Sequence, residues 1–201
     1  EEEVTFEDGY CRPASTNVGE FDPLSIADIA SRTSVSHGAI SGHSELNVTG
    51  AGPGFGLHIV DLKVDRETGR VDVTRYTVVQ DAGKAIHPLQ VEGQVQGGIV
   101  QSLGQAFMEE AVFDKDGHFA NPSYMDYAMP RADDVPNFKW DFYTGAPCQT
   151  NPLGAKGVGE LGTVGATHAI VNAVLDALRD NGVSHIDMPL SPQKVWAALQ
   201  N

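Results

Sequence analysis

Cysteine is scarce in this chain: Cys11 and Cys148 are the two among 201 residues. Two are too few for a disulfide framework and do not argue for an oxidising compartment. Basic residues are also few, 13 against 27 acidic ones, for a net charge of −14. A surface so acidic repels phosphate, which disfavours nucleic acid and anionic membranes as partners. No apolar run approaches the roughly 18 residues that a membrane-spanning helix needs. The opening "EEEVTFEDGY" has no signal pattern, so the expected compartment is the cytoplasm. It also has no initiator Met, which leads to the expectation that the chain begins inside a larger polypeptide or was processed. The usual short motifs are missing too. There is no G-x-S-x-G, no H-x-x-x-H or H-E-x-x-H, and no Walker A lysine after the glycines. The seven histidines are scattered, so no metal-ligand set is assigned.

What is present is ordinary for a globular protein, 41% hydrophobic and 20% charged. At this length the chain is one large domain or two small ones. "EVTFEDGYC" suits a short hairpin, and "DPLSIADIASR" a helix with Asp22 as N-cap and Pro23 in its first turn. Residues 34–56 read as loop or a Gly-rich strand. A hairpin follows: His58–Asp65 alternates, "RETGR" turns, and "VDVTRYTVVQD" returns. Helical spacing of Val100, Leu103, Phe107 and Met108 predicts a helix over 91–109. Its glycines, Gly93, Gly97, Gly98 and Gly104, each cost about 0.5–1 kcal/mol against Ala. They imply either tight helix packing or close approach of backbone or ligand. A strand is expected at Phe138–Tyr143 and a helix from Thr163 to Arg179. That helix carries the stripe Ala166, Ala169, Ile170, Ala173, Val174, Ala177, Leu178. A last helix, capped by Ser191 with Pro192 first, is expected to bury Val195, Trp196 and Leu199. The fold class is α+β, a mixed or antiparallel sheet with two or three packed helices.

The segment "NPLGAKGVGELGTVGATHAIVNAVLDAL", residues 151–178, holds the chemistry. "GVGELG" spells the dinucleotide fingerprint G-x-G-x-x-G, but the polar, Pro-broken "QTNPLGAK" stands where a buried strand is required. Glu160 is the one acid between Asn151 and Val174. Glycines on both sides let a bulky ligand approach. A helix N-terminus after it offers N–H groups to anionic atoms, and a carboxylate desolvated there would serve as a general base. The plainer alternative is an exposed Glu favourable to the helix dipole. His168 reads as a surface or packing residue, and Cys148 as structural.

This block resembles the C-terminal signature of the molybdenum hydroxylases, the xanthine dehydrogenase, aldehyde oxidase and carbon monoxide dehydrogenase group. "VDLKVDRETGRVDVTRYTVVQDAGKAIHPLQVEGQVQGGIVQSLGQAFMEE", "SYMDYAMPRADDVP" and "HIDMPLSPQKVWAAL" resemble the family in order and spacing, from about Leu57 to Leu199. The resemblance implies a C-terminal molybdenum-pterin-binding region over 57–201, the C-terminal part of a molybdopterin-binding domain, with 1–56 a peripheral N-terminal segment. It implies that Glu160 is the general base beside the molybdenum when water-derived oxygen is inserted at an electrophilic carbon of an N-heterocycle, purine or aldehyde. It implies that Gln94 hydrogen-bonds the molybdopterin, which in some members is a cytosine dinucleotide. Lys156, Gly157, Val158 and Gly159 would line the metal pocket. Iron–sulfur clusters and FAD would reside on partner chains or domains. The family's upstream half and its iron–sulfur motifs are not in this sequence. The implied partners are therefore the remaining part of the molybdenum subunit, an iron–sulfur subunit, an FAD subunit and a small-molecule substrate. A non-catalytic module that completes a larger molybdoenzyme subunit is the alternative.

Overall fold

The computed structural model describes residues 4–14, 22–36, 38–47 and 50–200. They form two compact units, Glu1–Asn47 and Val48–Asn201. In the first, β1 (Val4–Glu7), β2 (Tyr10–Pro13) and β3 (Leu24–Ser25) make an antiparallel sheet in that order. The Asp8–Gly9 turn of the expected hairpin takes positive φ at both residues, the geometry that matches strand twist. The helix α1 (Ile26–Ser36) starts later than Asp22 and Pro23 suggest. Leu24 is drawn into pairing with Cys11, and Ser25 takes over the helix start. Its Oγ accepts from the Asp28 N–H at 3.1 Å and donates to the Asp28 carboxylate at 2.6 Å.

The second unit is built on a mixed sheet. Strands β4 (Phe55–Val64) and β5 (Val71–Asp81) pair antiparallel, and β6 (Phe138–Phe142) joins β5 in parallel. Alternation along β5 puts Tyr76, Val78 and Gln80 on one face, all but fully buried. Packed with that face are α2 (Pro88–Phe107) and α4 (Ala166–Ala177), through Val95, Ile99, Leu103, Ala106, Ala166 and Ile170. A second cluster joins Val174 and Leu178 to Ile186, Leu190 and Val195, the last from α5 (Pro192–Leu199). The α4 positions Ala166, Ile170 and Val174 are the fully buried ones, and Ala177 is exposed. In α5 the expectation for Trp196 fails: it is 44% exposed. Val195 and Leu199, four apart, face the core, and Trp196, a further 100° round the helix, lies against the Gly69 turn.

Two helices depart from the sequence reading. α2 begins at Pro88 rather than 91, because His87 caps it: His87 Nδ1 accepts the Gln90 N–H at 3.2 Å, with Pro88 as first residue. The helix expected from Thr163 to Arg179 is broken at Gly165 into the single turn α3 (Leu161–Val164) and α4. The described residues thus hold five α-helices, more than expected, and none is long and apolar enough to cross a membrane.

The break at Gly165 sits on His58, whose Cδ2 would be 2.6 Å from a Cβ there. His58 Nδ1 shares a 2.9 Å hydrogen bond with the Tyr76 hydroxyl. Burial pushes the imidazole below the ordinary histidine value and raises the Tyr76 phenol. On acidification below about pH 6.5 the unfolded chain takes up a proton that folded His58 resists. Stability therefore falls with pH in that window. His58→Gln is expected to flatten this part of a denaturation-versus-pH curve; an unchanged slope would assign the effect to another group.

Candidate functional site

The site starts where β5 ends. Asp81 is 3% exposed at its side chain and Lys156 is 6% exposed, and Lys156 Nζ meets Asp81 Oδ2 at 2.6 Å. The other carboxylate oxygen of Asp81 accepts the Gly83 N–H at 2.8 Å. Around this pin the backbone zips: Lys156 N–H donates to the Ala82 carbonyl at 3.0 Å, and Lys84 N–H to the Gly154 carbonyl at 2.8 Å. Gly83 and Gly154 both carry positive φ, and a Cβ on Gly83 would strike the Gly154 carbonyl. The segment before "GVGELG" thus contributes an isolated bridge, Gly83–Ala155, and not the buried strand of a dinucleotide site.

The same loop then reaches α2. Gln94 Nε2 donates to the Gly159 carbonyl at 2.8 Å. Behind it the glycines divide by role. Gly98 lies against Gly162, where a Cβ would be 2.9 Å from backbone atoms, and a Cβ on Gly162 would strike the Val95 carbonyl. Thr163 Oγ1 donates to the Gly98 carbonyl and Ser102 Oγ to the Thr163 carbonyl, both at 3.3 Å. So Gly98 serves helix packing. Gly93, Gly97, Gly157 and Gly159 have open space where a Cβ would stand.

Between the α2 start and the glycine loop lies a cleft of about 440 Å³. Gln94, Lys156, Val158 and Gly159 line it, which brings four of the expected site residues together. Gly157 is exposed beside it. Lys84, His87 and Gln90 also line it, and sequence reasoning assigned them no part in the site. Their signal was available in the cap pattern: starting the helix at Pro88 puts Gln90 and Gln94 four apart, on one face. Lys156 contributes its stem to the cleft, since its ammonium is held by Asp81 and lies 5.8 Å from the Phe55 ring centre.

Glu160 follows Gly159 and stands at the N-cap of α3 with no hydrogen bond from its side chain to the helix. Its carboxylate is exposed in this chain, so the desolvation expected from the sequence is not supplied by these residues. Nor is α3 an anion site. The N–H groups of Leu161, Thr163 and Val164 donate to the Val158 and Glu160 carbonyls. His168 is exposed, its Nδ1 near the Val164 carbonyl at 3.1 Å. Cys148 is buried against Gly52, and its thiol is pulled below the ordinary value chiefly by the Thr150 hydroxyl at 3.1 Å.

Known proteins share this architecture. The molybdopterin cofactor-binding domain family matches residues 1–136. The chain is 36% identical over 146 residues to the carbon monoxide dehydrogenase large chain of Hydrogenophaga pseudoflava, covering 73% of this chain and 18% of that one. It is 32% identical over 215 aligned residues to the nicotine 6-hydroxylase large subunit of Paenarthrobacter nicotinovorans, covering 100% and 25%. A crystal structure of a Cu,Mo-CO dehydrogenase superposes with a TM-score of 0.89 at 25% identity, over 98% of this chain and 25% of that one. The chain therefore spans about a fifth to a quarter of the length of these relatives. With the α+β fold and the ordered motifs in agreement, the chain belongs to the molybdopterin-binding subunits of the molybdenum hydroxylase family.

Proposed function

We propose that this chain forms one wall of a molybdenum-pterin site and carries the general base, Glu160, of a hydroxylase acting on an N-heterocycle, purine or aldehyde. The observation that carries the reading is the Gln94–Gly159 hydrogen bond, which closes the two family motifs round one cleft beside Glu160. The fit to the pterin rests on the cleft itself. Amide, imidazole and ammonium-bearing side chains line it, and Gly159 leaves its Cβ position open there, which suits a flat, hydrogen-bonding ligand with an anionic tail. When bound, the molybdenum-pterin supplies the two-electron redox centre.

The chain's own residues have separable tasks in this reading. Gln94 holds the Gly159 carbonyl and so fixes the backbone one residue before Glu160. The Asp81–Lys156 pin fixes the other end of the loop. Glu160, with no side-chain bond to its helix, is free to take a proton from the oxygen nucleophile. Desolvation of that carboxylate falls to the rest of the subunit. Iron–sulfur and FAD partners, a cytoplasmic setting and the cytosine dinucleotide form belong to the same proposal.

Gln94→Ala tests the cofactor wall. Molybdenum and pterin per assembled protein are expected to fall several-fold, because one donor and the loop's tether go together. An unchanged metal-to-protein ratio would remove Gln94 from the site.

A further inference from the structure

One face of the sheet of the second unit is packed against helices, and the other is covered at its Asp81 end by Lys156 but bare along β4. Val60, Tyr76, Val78 and Gln80 face the helices. The alternate residues of β4 do not: Phe55, Leu57 and Ile59 are 67%, 57% and 49% exposed. Register places Leu57 opposite Val79 and Ile59 opposite Thr77, so these side chains form a continuous row across two strands. At one end the row meets charge, the Arg75–Asp61 pair at 2.6 Å, with exposed Lys139 and Asp141 on β6 opposite Thr77 and Val79. An apolar centre bounded by charged groups is the anatomy of a protein interface. β4 is moreover a ten-residue edge strand, which natural sheets seldom leave bare.

We propose that this face, centred on Phe55, Leu57, Ile59 and Val79, docks the portion of the molybdopterin-binding subunit that the longer relatives possess in addition to the region matched here. Two observations select that occupant. The relatives carry four to five times the length of this chain, so a large polypeptide is available to cover the sheet. The face is also continuous with the cofactor cleft, because Phe55 lies under Lys156, which lines it. A segment seated on the row thereby reaches the rim of that cleft at Phe55 and Lys156. The inference rests on the cleft being a cofactor wall, yet its test needs neither cofactor nor turnover.

The test uses the enzyme isolated through this chain, with Leu57→Cys or Ile59→Cys and a photoreactive maleimide. Expected is labelling at least about tenfold slower than for the same cysteine after denaturation, as for a covered site. Expected too are crosslinks that map to the larger part of the molybdopterin-binding subunit. Labelling at the denatured rate at both positions would overturn the proposal. Crosslinks to a second copy of this chain, or to its own residues 1–47, would overturn it as well. Near-normal turnover of Glu160→Gln would leave these readouts untouched, so the two readings fail separately.

Discussion

Glu160→Gln is expected to lower hydroxylation of any accepted substrate by roughly 10²–10⁴-fold in the assembled enzyme, with molybdenum and pterin content unchanged. The amide is close in size to the carboxylate and cannot take a proton. Glu160 makes no side-chain bond to its helix, so the exchange removes a base without removing a structural contact. The expected signature is a fall in kcat with little change in substrate binding, since the loss is confined to the step that moves the proton. Metal analysis and turnover on the same preparation check it. A variant with near-normal turnover would return Glu160 to the role of an exposed acid at a helix start.

Lys156→Met is expected to cost about 3–5 kcal/mol of stability. The pair it breaks is almost wholly buried, and Asp81 would be left charged with only the Gly83 N–H for company. The loop holding Gly157, Val158 and Gly159 would lose its anchor at the same stroke, so cofactor content should fall with stability. Adding Asp81→Asn should recover more than half of the loss, because a neutral amide still accepts the Gly83 N–H and carries no buried charge. Equilibrium denaturation of the wild type, both single variants and the double closes the cycle. If Lys156→Met unfolds at the wild-type midpoint, the pin contributes nothing and the loop is held by its backbone bonds alone.

Much of this molecule is legible in local pattern. The β4–β5 hairpin follows from alternation along residues 60–65, β-branched residues on both strands and a turn at Gly69 that needs positive φ. The α5 start follows from Ser191 and Pro192, and Ser191 Oγ does accept the Lys194 N–H, at 3.4 Å. The ordered motifs brought the family into view, and with it the choice of Glu160 among all the acids. These signals survive in sequence because they act over a turn of helix or a strand pair.

Other features required contacts between distant residues. Whether Gly98 serves packing or a ligand depends on Gly162, 64 positions along, whose backbone it touches. Lys156 is expected from the family resemblance to line the metal pocket, and only tertiary structure shows that its ammonium pairs with Asp81 across 75 residues. Trp196 looked like core, and the angle of α5 turned it to the Gly69 turn. β6 joined in parallel because residues 82–137 carry the chain back across the sheet before it returns. By itself the sequence determined the hairpin, the Ser191 cap and the family, because each depends on residue type and short spacing. The tertiary structure alone decided which glycines are packed against backbone and which stay open, which charge is buried in a pair, and which residues of β4 stay bare, because burial exists only after distant segments meet.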